Sequence, residues 1–168
     1  MDDATGALSF DCIQVSKTKR VQAGSWDVRW DEGLEEKLHQ MRAEQLPNET
    51  GGVLVGVIDQ VLRTLTLVDA SAAPIDSVAD TVSFVRGKDG SQEYVERCEV
   101  LTAGMASYVG EWHAHPEGCS ANPSPTDVVL LRTLADRLAA DGVPALMVIV
   151  SADAVSISLG QTVVPVSG

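Results

Sequence analysis

The spacing of apolar residues changes along this chain, and each change predicts an element. Trp26-Asp-Val-Arg-Trp30 alternates with period two, the signature of a short strand. Asp31–Leu46 then places Leu34, Leu38, Met41 and Leu46 at helical spacing behind leading acidic residues, which predicts an amphipathic helix ended by Pro47-Asn48. Its His39 reads as a surface or boundary residue. Glu49-Thr-Gly-Gly-Val-Leu-Val-Gly-Val-Ile58 reads as a double-glycine entry into a buried strand. Asp59-Gln60 reads as a hairpin turn and Val61–Val68 as the partner strand. A loop over Asp69–Asp80 leads to a strand at Thr81–Val85, and a helix is predicted over Gln92–Met105.

Ala106–Trp112 has the β-branched and aromatic content of another strand and runs into His113-Ala-His115. Asp127–Ala140 reads as a third helix, ended by Gly142-Val-Pro144. Ala145–Val150 is a continuous apolar run and so a buried central strand, with Ala154–Leu159 as its neighbour. Interleaved strands and helices, joined by hairpins as well as crossovers, predict an α/β (α+β) domain: a mixed sheet with helices on both faces. The first residues are less regular. Leu8–Val15 is a candidate strand, Ser16–Arg20 a solvated basic turn, and residues 1–24 together an N-terminal leader, either flexible or the remnant of a larger chain. The domain proper is placed over 25–168, with a tail from Gln161.

Composition narrows the function classes. The 168 residues suffice for one domain with a core of its own. No apolar run reaches membrane-spanning length, and the N-terminus lacks the basic and apolar regions of a signal peptide, so a cytoplasmic protein without a membrane partner is expected. The net charge of −12 argues against a nucleic-acid surface and suits solubility or a basic partner. Cys12, Cys98 and Cys119 are odd in number and far apart, which supports neither a disulfide framework nor a cysteine zinc site. Cys12 and Cys98 sit in apolar surroundings. Cys119 lies in the loop between His115 and Asp127 and reads as a passive loop residue, with a reactive thiol or adventitious ligand as alternatives.

Chemistry concentrates between positions 109 and 127. On a strand, residues i and i+2 share a face, so His113 and His115 aim at one point. Ser124-Pro-Thr-Asp127 reads as a helix start, with Ser124 at the N-cap and Pro125 at the first helical position. A loop that folds back would bring Asp127 to the two imidazoles. Two imidazoles and one carboxylate form a three-ligand zinc set with a fourth position left to water, as in catalytic rather than structural sites. Each piece alone has a plainer reading: two partly exposed histidines and an ordinary cap. A hydrolytic metal site also needs a base, and Glu49, beside the double glycine, is the candidate. A solvent-exposed loop glutamate is the competing reading. Glu111 shares the histidine face, as a partner for an imidazole or as a surface carboxylate.

Taken together, Glu49-Thr-Gly-Gly-Val-Leu-Val-Gly56, His113-Ala-His115-Pro116 and Ser124-Pro-Thr-Asp127 resemble the JAB/MPN domain with its JAMM metalloprotease signature, over roughly residues 26 to 160. The resemblance implies a curved mixed sheet flanked by helices, similar to cytidine deaminase. It implies Zn2+ on His113, His115 and Asp127, Glu49 as general acid/base, and Ser124 as a hydrogen-bond donor to the oxyanion. One departure stands out: Pro116 to Pro123 is one residue longer than the family's usual spacing. The family cleaves peptide or isopeptide bonds at the C-terminus of ubiquitin-like proteins. The Gly-Glu-Trp-His wording resembles its bacterial branch, associated with ubiquitin-activating-like and conjugating-like enzymes in antiphage operons. The direct passage from helix 127–140 to strand 145–150 leaves no room for a long insertion, so precursor processing or deconjugation without linkage selectivity is expected. The alternatives are a peptidase releasing a sulfur-carrier protein in cofactor or cysteine biosynthesis, a non-catalytic MPN scaffold, and a DNA-repair-associated relative.

Overall fold

A computed structural model describes residues 17–162. The candidate strand Leu8–Val15 and most of the tail lie outside them. Nine strands and three helices follow in the order β1 (Thr18–Ala23), β2 (Trp26–Asp31), α1 (Glu32–Gln45), β3 (Thr50–Asp59), β4 (Thr64–Ala70), β5 (Val78–Ala79), β6 (Phe84–Val85), α2 (Ser91–Leu101), β7 (Ser107–Ala114), α3 (Pro125–Leu138), β8 (Ala145–Val150) and β9 (Val155–Gly160). Seven strands form one mixed sheet in the order β1-β2-β4-β3-β7-β8-β9. The β2–β4 and β7–β8 pairs are parallel and the others antiparallel. The sheet curves until its ends approach, and Trp26 Nε1 of β2 donates to Gln161 Oε1, just past β9, at 3.3 Å.

Alternation along the central strands sorts the core into two faces. Leu146, Val148 and Val150 join Leu54, Trp112 and the α1 residues Leu34 and Leu38 in the main cluster. Ala145, Met147 and Ile149 face the other way, onto Leu130, Leu131 and Leu134 of α3. Val55 meets Cys98 of α2 on that second side. The period-two rule thus decides which helix each strand residue meets. Cys98 is a core residue, as its surroundings suggest.

Several boundaries differ from the sequence reading, each for a local reason. Ser16–Arg20 is not a solvated turn throughout: Thr18–Ala23, within the stretch read as leader, pairs antiparallel with β2. Gly24, at φ 60°, and Ser25 make the tight turn between them. Lys19 and Arg20 belong to this edge strand, a common protection against strand addition. The β3–β4 turn covers four residues, not two. Asp59 Oδ1 accepts from Leu62 N at 2.8 Å and Arg63 takes φ 50°, so Val61 and Leu62 sit exposed at a turn tip rather than opening β4. Thr81–Val85 is not a sheet strand. Only Phe84–Val85 is extended, and it pairs with Val78–Ala79 in a separate two-stranded hairpin. Helix α2 stops at Leu101, because Ala103 (φ 52°) and Gly104 (φ 78°) turn the chain left-handed and Gly104 N closes onto Glu99 O at 2.7 Å.

A bulge in β7 aims the site. Leu54 pairs with Gly110 but Val55 with Tyr108, so Val109 is an extra residue. The slip puts both Val109 and Trp112 on the α1 side, leaving Glu111 and His113 on the other. Gly110 carries φ 152°, and a Cβ there would collide with the Leu146 backbone carbonyl of β8. Gly110→Ala is therefore expected to cost more than about 2 kcal/mol. Thermal unfolding of the purified variant against the parent checks this; an unchanged melting temperature contradicts it.

Candidate metal centre

Strand β7 delivers the first two donors and the start of α3 the third. His113 lies on β7, and His115 continues its line by donating its backbone N–H to Val150 O at 2.8 Å. The rings sit with centroids 5.2 Å apart. His115 Nδ1 lies 2.6 Å from Ser120 O. A carbonyl can only accept, so this contact places the proton on Nδ1 and leaves the Nε2 lone pair free. Asp127 stands at the third residue of α3 within a capping box: Ser124 Oγ accepts from Asp127 N at 3.3 Å, and Asp127 Oδ2 accepts from Ser124 N at 2.6 Å. The same carboxylate lies 3.2 Å from His113 Nε2 through Oδ1 and 3.7 Å from His115 Nε2 through Oδ2.

Donor atoms of His113, His115 and Asp127 all lie within 4.8 Å of one another. His113 and Asp127 are each only 7% exposed, while His115 is half-buried. Burial favours the neutral carboxyl of Asp127, but the His113 contact and the Ser124 N–H outweigh it and hold the group well below the usual carboxylate range. An ionised carboxylate oxygen and two imidazole nitrogens grouped this closely fit a divalent transition ion. Cys119 is exposed in the same loop and is not among the converging donors.

Glu49 sits half-buried, one residue before β3, and lines the cleft with the three donors. Burial raises its carboxyl above the ordinary value, and the neighbouring imidazoles only partly offset this. The double glycine after it does not make a sharp turn; both residues lie inside β3. Their purpose is close approach. A Cβ on Gly51 would stand 2.7 Å from the Phe84 ring and 2.9 Å from His113 Cβ, so this glycine lets β7 and the hairpin close on the cleft. Ser124 also lines the cleft, its Oγ used as cap acceptor while its O–H remains able to donate.

The cleft has a volume of about 620 Å³. Residues 81–86 form one wall and the loop from Pro116 to Ser124 part of the other. Glu111 is neither an imidazole partner nor a surface group. It is 7% exposed and paired with Arg86 Nη2 at 2.7 Å, which ties the end of the hairpin to β7. Arg42 of α1, 5% exposed, donates through Nε to His115 O at 2.8 Å and through Nη2 to Glu117 at 3.1 Å. Neither arginine carries a sequence signal for this role, because each acts from an element remote in the chain.

A curved mixed sheet that presents two imidazoles and an aspartate at one three-donor centre, with a carboxylate in the same cleft, defines a JAB-type metallopeptidase. The chain belongs to the family described as prokaryotic homologs of the JAB domain, whose model matches residues 31–160. It is 35% identical over 132 residues to the CD-NTase/cGAS isopeptidase of Enterobacter hormaechei subsp. hoffmannii, covering 76% of this chain and 71% of that one. It is 30% identical over 88 residues to the "Probable metalloprotease y4qB" of Sinorhizobium fredii, covering 51% and 52%. The solution structure of protein DSY2949 from Desulfitobacterium hafniense is similar at 20% identity, covering 77% of this chain and 80% of that one, with a TM-score of 0.47.

Because Arg42 fixes the carbonyl of one donor residue, Arg42→Met is expected to weaken divalent-metal binding by about 10- to 100-fold, the usual effect of removing a group that orients a metal ligand. Competition against a chromophoric chelator measures it, with circular dichroism confirming the fold. Unchanged affinity removes Arg42 from this role.

Proposed function

We propose that this protein is a zinc isopeptidase that hydrolyses the peptide or isopeptide bond at the C-terminus of a ubiquitin-like protein, for precursor processing or deconjugation. The observation that carries the reading is the convergence of His113, His115 and Asp127 in a cleft that also holds Glu49. A divalent ion held there supplies Lewis-acid activation of water and of the scissile carbonyl.

The residues of the chain do the rest. Glu49 takes a proton from the attacking water, and its raised carboxyl pKa suits a group that must also return that proton. It delivers the proton to the departing amine as the C–N bond breaks. The Ser124 hydroxyl donates to the developing oxyanion; loss of one such donor costs about 10² to 10³ in rate. The 620 Å³ cleft, walled by the hairpin, takes an extended tail better than a folded surface.

The relative from Enterobacter is named an isopeptidase of CD-NTase/cGAS. That wording supports a CD-NTase-type protein as the carrier of the amine in this case too, with ubiquitin-activating-like and conjugating-like enzymes as partners. The cytoplasm is the compartment this reading requires. Among the described residues no helix is long and apolar enough to cross a membrane.

Incubation with candidate ubiquitin-like fusions, followed by mass spectrometry of the products, tests the reading. Cleavage directly after the ubiquitin-like C-terminus is the expected result; intact fusions across the set oppose it. Glu49→Ala is expected to retain fold and zinc while lowering cleavage at least about 10²-fold, the lower end of a general acid/base contribution. Retained activity removes Glu49 from the mechanism. A chelator is expected to abolish turnover and added zinc to restore it, which a fusion-cleavage time course records.

A further inference from the structure

Helices cover only part of the second side of the sheet. Helix α2 packs there on β3 and β7 and α3 on β8 and β9, while α1 lies against β2 and β4 from the main cluster. The second side of β1, β2 and β4 is left open. Pairing register places one row of side chains across it, with Arg20 opposite Arg29 and Arg29 opposite Thr66. Both guanidinium groups turn to one oxygen of Asp27. Asp27 Oδ2 accepts from Arg29 Nε at 2.8 Å and lies 3.1 Å from Arg20 Nη2. Asp27 Oδ1 is buried without a hydrogen-bond partner. Arg63, at the adjoining turn, accepts from Asp27 N through its carbonyl at 2.8 Å and donates from Nη1 to the Ser25 hydroxyl at 2.9 Å. The other acids of β2, β3 and β4 are engaged elsewhere. Asp31 Oδ1 caps α1, Asp59 Oδ1 accepts from Leu62 N, and Asp69 pairs with Lys37.

Like charges set directly opposite on neighbouring strands cost stability. Here three arginines gather about one carboxylate, in a chain whose net charge is −12. The cluster holds more positive charge than its own aspartate offsets. Arg20 keeps 68% of its side chain exposed and Arg29 43%, which leaves N–H donors of both open to a ligand. We infer that this open face docks an acidic segment of a partner protein: a short run of aspartates or glutamates. The fixed fork of a guanidinium matches a carboxylate, which an ammonium does not. Charges more than about 8 Å away are screened at physiological salt, so a bound carboxylate senses these arginines ahead of the acidic remainder of the chain. A nucleic acid fits less well, because its unbroken line of phosphates runs past the patch onto that acidic remainder. None of the three arginines lines the cleft, so this surface recognises a partner without touching the hydrolytic groups.

Fluorescence anisotropy of the full chain with labelled acetyl-Gly-Asp-Glu-Glu-Asp-Glu-Gly-amide tests this, against the neutral acetyl-Gly-Asn-Gln-Gln-Asn-Gln-Gly-amide. Near physiological ionic strength the acidic peptide is expected to bind saturably and at least about tenfold more tightly than the neutral one, as several exposed charge pairs together allow, and to weaken as salt rises. Nuclear magnetic resonance titration with the unlabelled acidic peptide is expected to shift the amides of Arg20, Arg29 and Thr66. Arg20→Gln and Arg63→Gln, both at exposed positions, are each expected to weaken binding about two- to fivefold, with circular dichroism confirming the fold. Equal binding of the two peptides, no binding, shifts confined to other surfaces, or tighter binding of a single-stranded oligonucleotide of the same charge would overturn the assignment. The shift map uses the unaltered chain, so it decides the matter even where a variant fails to fold.

Discussion

The Asp127 carboxylate satisfies two sets of partners at once, and the site depends on it. One oxygen closes the capping box of α3 by accepting from Ser124 N at 2.6 Å, and the other lies 3.2 Å from His113 Nε2. A carboxylate at a helix start is favoured by the unpaired N–H groups and by the helix dipole. The same contacts keep it ionised in a buried place where a lone carboxyl would take up a proton. Helix α3 is thereby anchored by the groups that build the centre. Its Leu130, Leu131 and Leu134 then pack on Met147, Ile149 and Ala145 of β8, the strand parallel to β7.

Around this point the molecule is braced from three directions. Arg42 reaches from α1 to the carbonyl of His115, Arg86 ties the hairpin to Glu111, and Ser120 O fixes the His115 tautomer. Glu49 N donates to Asp80 O, so the backbone next to the proposed base is itself joined to the hairpin. The two arginine contacts to β7 and its extension come from buried or half-buried guanidinium groups, where each is stronger than on the surface and where leaving one partner unpaired costs more than the pair contributes. Positioning of this kind is what a three-ligand centre needs, since it has no fourth protein ligand to restrain it.

Phe84 closes against β7 at the cleft because Gly51 has no side chain. Its backbone lets the Phe84 ring and His113 come closer than any Cβ would permit.

Sequence alone determined the order and type of most elements, because periods of two and 3.6 survive wherever one face is buried. It also made the grouping of His113, His115 and Asp127 legible: two histidines one residue apart on a strand, and an aspartate fixed by its own cap, are local geometry. Short-range reading failed where local apolar content carried no pairing information. Val61 and Leu62 belong to a turn, Thr18–Ala23 to an edge strand, and Phe84–Val85 to a hairpin off the main sheet. Tertiary structure decided what depends on contacts between segments remote in the chain. The meeting of Arg42 with His115, of Arg86 with Glu111, and the reason for Gly51 all arise only when the curved sheet closes around its helices. No pattern of neighbours along a chain encodes which distant carbonyl or carboxylate a buried guanidinium will find.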